Sequence, residues 1–383
     1  MKRRFFDAVV VGVGSMGSAT CYHLAAQGYT ALGLEQFEIV HERGSHAGQS
    51  RIIRKAYFEH PDYVPLLERA YQNWRTIEAE TGAKLFFSSG VLYMGNKTDA
   101  VMKGVVQSAQ QYNIPVENLD NSALQKRFPQ FRLPSSFQGI MEPDAGFVLP
   151  ELSIQTFTNA ALEKGAVINT GEVVIDWEKR ESVIVVKTNR QTYETDRLIF
   201  TAGAWTSRLL FDLKSKLTVT RQLLAWVQTS GKNLFSLDEM PCWFISDKEG
   251  GSFYGFPDLA NENIQGPTGI KVARHYPGRP VSPDDIISND NDEEIARVLS
   301  FLQEFMPAAG TEISAIKNCL YTNSPDEDFI IDFVPGTDRK VIVAGGFSGH
   351  GFKFVPVVGE ILADMAIKGK SPMPISFLNL SRF

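Results

Sequence analysis

Residues Phe6–Gly28 read FDAVVVGVGSMGSATCYHLAAQG. The apolar run Phe6–Val11 reads as a buried parallel strand. Gly12, Gly14 and Gly17 then form G-x-G-x-x-G between that strand and a run of helix formers ending at Gly28. Gly12 permits a tight turn, Gly14 lets backbone approach a pyrophosphate, and Gly17 lets helix and strand pack closely. The free N–H groups of the helix start attract negative charge, so Ser15 and Met16 join the expected contacts. TALGLEQ (30–36) reads as the next strand and ends at Glu35, 23 positions after Gly12. An acid there is placed to accept from ribose hydroxyls. Strand, loop, helix and acid together predict a Rossmann-like βαβ unit that binds a dinucleotide.

The far end repeats the device. KVIVAGGF (340–347) reads as a buried strand, GGFSGHGFKF (345–354) as a glycine-rich loop, and VPVVGEILADMAIKG (355–369) as an amphipathic helix closing at a glycine. A nicotinamide enzyme has little use for a second glycine-rich return. A second helix start suits a flavin, whose reduced ring carries negative charge. Between the two ends, KLFFSSGVLYMG (84–95), LLAWVQTS (223–230), CWFIS (242–246) and GSFYGFP (251–257) are short aromatic and β-branched runs. They predict an antiparallel sheet. Residues 284–303 begin acidic and become a helix. The expected architecture is α/β with two domains: a discontinuous FAD-binding domain (1–90, 146–220 and 311–383) and an inserted antiparallel-sheet substrate domain (91–145 and 221–310).

Composition sets bounds. At 383 residues two hydrophobic cores are expected. A net charge of -6 argues against nucleic acid as a partner. No apolar run is long enough to span a bilayer. Cys21, Cys242 and Cys319 are an odd, widely spaced set, giving neither a disulfide framework nor a metal pair. Six scattered histidines give no ligand spacing, so no metal is expected. The first residues imitate a secretory leader, but Asp7 interrupts the apolar run and the glycines have the use given above. A cytoplasmic protein is expected.

Six further segments occur in order: GSHAGQSRIIRKAY (44–57), TAGAW (201–205), YGFP (254–257), GIKVARH (269–275), NCLYTNSPDEDFIID (318–332) and the terminal GGFSGHGFKF. Together they resemble the monomeric sarcosine oxidase and N-methyltryptophan oxidase family over essentially the whole chain. The resemblance implies an FAD-dependent oxidase of secondary amino acids such as sarcosine. The C–N bond becomes an imine that hydrolyses, and O2 becomes hydrogen peroxide. It implies a covalent thioether from Cys319 to FAD, and cofactor contacts from Ser50, Arg51, Gly349 and Gly351. Arg54 and Lys353 match the pair that grips the substrate carboxylate. Arginine offers a planar fork and lysine a point charge. Lys271 matches the lysine that assists reaction with oxygen, by a fixed positive charge beside developing superoxide. His275, Tyr254 and Tyr321 match residues lining the pocket. His46 and His350 are read as shaping loops beside the flavin. A monomer is the family expectation.

Departures from the family pattern concentrate in one turn. Ala47, Gln49 and Ser50 stand where the motif often has histidine, aspartate and threonine. The segment between Phe256 and Lys271 is longer than in the sarcosine enzymes, and Ile245 stands where they have methionine. N-methyltryptophan, pipecolate and fructosyl amino acids therefore remain open as substrates. A flavin dehydrogenase with another electron acceptor also remains open.

Overall fold

In the computed structural model, residues 5–229, 233–247, 251–275, 278–285 and 292–383 are described. The N-terminal unit forms as its sequence requires. Strand β1 (Phe5–Val11) leads into helix α1 (Ser15–Ala26) and then strand β2 (Ala31–Leu34). Val9 and Val10 are fully buried, because helices or strands cover both faces of a parallel sheet. β1 pairs in parallel with β2 on one side and with the strand Thr192–Phe200 on the other. The late strand Val341–Gly345 pairs in parallel with Thr192–Phe200. Both chain ends therefore enter one eight-stranded sheet.

The C-terminal helix Val355–Lys368 lies directly against α1. A Cβ on Gly359 would fall 2.6 Å from the Ala19 carbonyl carbon, so the two helices touch backbone to backbone. That helix ends at Gly369 in a left-handed cap, as its glycine predicts. A nine-stranded sheet forms the second layer. Its strands include Val91–Gly95, Thr218–Val227, Cys242–Ser246, Ser252–Phe256, Ile270–Arg274 and Ile313–Asn323. The pairing is antiparallel apart from Cys242–Ser246 on Val91–Gly95, which run parallel. The long excursion through the other sheet between these strands lifts the directional constraint a hairpin would impose.

The helix expected within 284–303 is Asp292–Phe305, with Asp292, Glu293 and Glu294 in its first turn. Residues 286–291 lie outside the described set. A small third sheet joins strand β3 (Arg51–Ile53) to Gly146–Val148 and Phe86–Phe87. β3 follows the GSHAGQS turn, which is bonded to Trp226 and Lys271 of the nine-stranded sheet. No described helix is long and apolar enough to cross a membrane.

Candidate active site

The first glycine loop is fixed by close contacts. Gly12 has φ +91°, and a Cβ there would meet the Thr201 carbonyl oxygen at 2.7 Å. At Gly17 a Cβ would fall 1.9 Å from the Gly12 carbonyl oxygen. Gly14 caps α1 without any side-chain bond, leaving the first-turn N–H groups available to an anion. Glu35 braces the loop: Oε2 accepts from Val13 N–H at 2.8 Å, and Oε1 from Phe37 N–H at 3.0 Å. Each oxygen keeps a lone pair for a further donor. Burial pushes the Glu35 carboxyl up, opposed by these N–H bonds.

A long cleft runs from this loop, past Glu35 and Glu172–Val174, to the terminal loop at Gly345–Gly351. Ser15, Met16, His46, Arg51 and Thr322 also line it. His46 Nε2 and Thr322 Oγ1 are buried along it with no hydrogen-bond partner among the described residues. An elongated cleft with bare backbone donors at one end and unsatisfied side-chain groups along its wall fits an FAD. Burial holds the His46 imidazole down at about 4, so it faces the cleft neutral.

A second, smaller cavity adjoins the first. Arg51, Tyr321, Gly349 and Phe352 line both. Ile52, Arg54, Glu59, Phe244, Tyr254, His275, His350 and Lys353 complete the smaller one. Arg54 and Lys353, from opposite ends of the chain, are thus brought together. Arg54 is 1% exposed and lies over the rings of Phe58 and Tyr57, at 3.9 and 4.4 Å. Its Nη2 donates to both oxygens of Glu59, at 2.7 and 2.6 Å. Burial raises the Glu59 carboxyl, but Arg54 and then His350 and Lys353 pull it down to about 2. Lys353 Nζ donates to the His350 carbonyl at 2.7 Å. Burial and then the Arg54 charge lower it to about 7, with Glu59 opposing.

The surrounding groups are held in place. Tyr57 OH meets His350 Nδ1 at 2.5 Å, and His350 Nε2 meets the Glu327 carbonyl at 3.0 Å. Tyr321 OH is 3.5 Å from His275 Nδ1. Burial lowers His275 to about 3 and His350 to about 4, so both are neutral near pH 7.

Lys271 is placed differently from Arg54 and Lys353. Its Nζ donates to the Gly48 and Ser50 carbonyls at 2.6 and 2.7 Å, and to Ser50 Oγ at 3.3 Å. It buttresses the back of the Gly48–Ser50 turn, and neither cavity counts it or Ser50 in its lining. Burial, then Arg51, pushes its ammonium well below the usual lysine range. Cys319 is buried one residue before Leu320, Tyr321 and Thr322, which do line the cleft. Burial raises its thiol, while Arg51 and Lys271 draw it back.

Sequence reasoning missed Glu59, Tyr57, Glu151 and the structural use of Gln49. Glu151 Oε1 accepts from the Gly48 and Gln49 N–H groups at 2.8 and 3.1 Å. Gln49 accepts from Trp226 Nε1 at 2.9 Å and donates to the Pro267 carbonyl at 3.2 Å. It ties the 257–270 segment, expected to be longer than in relatives, to the turn expected to depart from the family motif. That departure was the one signal pointing to it. Among the described residues no acid, histidine and cysteine cluster is arranged to hold a metal.

The profile of the FAD dependent oxidoreductases matches residues 7–365. Monomeric sarcosine oxidase of Streptomyces avermitilis is 38% identical over 379 residues, covering 98% of this chain and 97% of the relative. N-methyl-L-tryptophan oxidase of Yersinia pestis is 34% identical over 384 residues, covering 99% of each. Among solved structures, NikD, an amino acid oxidase essential for nikkomycin biosynthesis, superposes with a TM-score of 0.85. It is 25% identical and covers 98% of this chain and 97% of its own. L-Proline dehydrogenase from P. horikoshii shares the fold, with a TM-score of 0.80 at 19% identity, covering 100% of this chain and 98% of its own.

Proposed function

The chain belongs to the FAD dependent oxidoreductase family, and from that premise we propose that it is an oxidase of N-methyl or N-alkyl amino acids. The observation that carries this reading is the small cavity beside the cofactor cleft, where Arg54 and Lys353 converge. Two buried cations in a pocket walled by Phe244, Tyr254 and Tyr321 suit a compact amino acid held by its carboxylate.

Gly12, Gly14, Ser15, Met16, Gly17, Glu35, Ser50, Arg51, Gly349 and Gly351 are assigned to hold the FAD. Parts 1–90, 146–220 and 311–383 are assigned to its domain, and 91–145 with 221–310 to the substrate domain; the strand Ile313–Asn323 crosses this division, since it pairs with Thr218–Val227 in the nine-stranded sheet. Bound FAD supplies the two-electron acceptor for C–N oxidation. Arg54 and Lys353 bind the substrate carboxylate, which competes with Glu59 for the Arg54 fork. Tyr254, Tyr321 and His275 exclude water around the C–N bond. The amine reacts as the neutral base, so kcat/KM rises with pH as the bound amine loses its proton. Lys271 is assigned the electrostatic role toward O2, which becomes hydrogen peroxide. Cys319 is assigned the thioether to FAD. Forming that bond would remove two hydrogens, one of them from the Cys319 thiol, with dioxygen as the acceptor of the electron pair. The reading includes a monomer in the cytoplasm, with free buried cysteines suited to a reducing compartment.

A second reading is a dehydrogenase that uses another acceptor. One observation favours it: Lys271 is turned to the backbone of the Gly48–Ser50 turn rather than into the cleft. One experiment separates the two. Purified yellow protein is assayed in air for peroxide against sarcosine, N-methyltryptophan, pipecolate and fructosyl-glycine, with a dye acceptor in parallel. Peroxide from a secondary amino acid is the expected result. Dye reduction without peroxide would establish the dehydrogenase. Acid precipitation of the same protein tests Cys319: colour retained in the pellet supports the thioether, and colour released into solution rejects it.

A further inference from the structure

Glu142 ends the strand Gln138–Glu142 of the nine-stranded sheet. It is 1% exposed and belongs to the lining of neither cavity. Its Oε1 accepts from Lys55 N–H at 2.6 Å. Its Oε2 accepts from Ala56 N–H at 3.1 Å and from the Tyr93 hydroxyl at 3.1 Å. Ala56 is gripped from its other side as well: its carbonyl accepts from Arg54 Nη1 at 3.3 Å and from Tyr93 at 3.4 Å. One buried carboxylate in one large sheet therefore holds two successive amides of the segment that carries Arg54.

Burying a carboxylate is costly unless hydrogen bonds or charges compensate it. Burial pushes this carboxyl up, and the two amides and then the Arg54 charge draw it back. Arg54 has a matching difficulty. It is buried next to a second cation, Lys353, and its Nε has no partner among the described residues. Glu59 holds one arm of its fork, at Nη2, and the other arm, Nη1, is tethered to the Ala56 carbonyl, so its aim into the pocket depends also on how that backbone is fixed.

We propose that Glu142 is a positioning residue for substrate binding: it fixes the Lys55–Ala56 backbone and, through the Ala56 carbonyl, the Arg54 guanidinium that receives the substrate carboxylate. The proposal rests on the assignment of Arg54 as that anchor. Tyr93 takes part in the same bracket, since its hydroxyl reaches both Glu142 and Ala56.

The test uses the holoenzyme. Steady-state kinetics on the amino acid that gives turnover are combined with the Kd of pyrrole-2-carboxylate, read from the flavin absorbance. This probe has the carboxylate but no oxidisable C–N bond. Glu142→Gln is expected to raise KM and Kd about tenfold while kcat at saturation stays within about twofold. Tyr93→Phe, the milder variant should the first not fold, is expected to raise both about threefold. A purely structural role would lower Tm and holoenzyme yield and leave KM and Kd unmoved, and that result would overturn the proposal. Arg54→Met separates the two layers of the argument. If it raises Kd and neither Glu142→Gln nor Tyr93→Phe does, the positioning role alone fails. If it leaves Kd unchanged, the anchor assignment fails and the positioning role with it.

Discussion

The cofactor cleft and the substrate pocket share a wall at Arg51, Tyr321, Gly349 and Phe352, yet they are built from opposite materials. At its phosphate end the cleft is backbone: glycines whose missing side chains leave N–H groups bare, braced by Glu35. The pocket is side chain: Arg54, Glu59, His275, His350 and Lys353, drawn from several segments, with burial lowering His275, His350 and Lys353 while Arg54 and Glu59 hold each other charged against it. A backbone site depends on shape and fails when shape is violated. A charge site depends on balance and is tuned by changing one member. The two should therefore respond to substitution in different ways.

The largest effect belongs to shape. Gly17→Val places side-chain atoms where a Cβ alone would be 1.9 Å from the Gly12 carbonyl oxygen. The contact is with backbone, which cannot move aside, so the variant is expected to purify colourless or not to fold. The flavin-to-protein absorbance ratio measures this. A normal ratio would mean that the glycine loop is not the cofactor seat.

A smaller and graded effect belongs to charge. The Lys353 ammonium is lowered from 10.5 to about 7, with burial the first cause. Above that value the ligand-free pocket loses one of its two cations. The Kd of pyrrole-2-carboxylate is expected to rise with pH, by up to about tenfold per unit above the folded pKa. Using a ligand without an amine keeps the substrate's own proton out of the measurement. The stability sign is opposite. Between about 7 and 10.5 the unfolded chain binds more protons at this lysine than the folded one, so stability gains from Lys353 as pH rises through that window. A flat Kd from pH 6 to 9 would remove Lys353 from carboxylate binding.

The smallest effect is a gain. Glu59 occupies Arg54 and competes with any incoming carboxylate. Glu59→Gln is expected to lower the Kd of the same ligand about threefold to tenfold. A raised Kd would show that Glu59 supports the bound state and does not oppose it.

The same contrast explains what was legible beforehand. The cofactor half is local: strand, glycines, helix and Glu35 fall within about thirty residues, so spacing alone places them. The terminal loop and helix repeat that grammar and were legible for the same reason. Arg54 and Lys353 became legible through resemblance; nothing in their spacing brings two cations together from the two ends of the chain. Glu59, Glu142 and Gln49 left weaker marks. Glu59 follows Arg54 by five positions in a non-helical segment, where no periodicity aligns them. Glu142 meets Lys55 and Ala56 only where the end of the strand Gln138–Glu142 packs on the loop that follows β3. A long-range hydrogen bond to a backbone amide has no sequence signature, since every residue but proline offers that amide.

The backbone contact of Gly359 with Ala19 has a consequence for synthesis. β1 and α1 leave the ribosome well before Val341–Gly345, which joins their sheet through Thr192–Phe200, and Val355–Lys368, which packs on α1. At about 5–20 residues per second, the closing strand follows the opening one by roughly 20–70 s. For that interval the glycine loop exists without its far wall, and α1 shows a small-residue face with nothing against it. The nascent chain can offer an early seat for phosphate, but the complete cleft forms only once Val355–Lys368 has emerged.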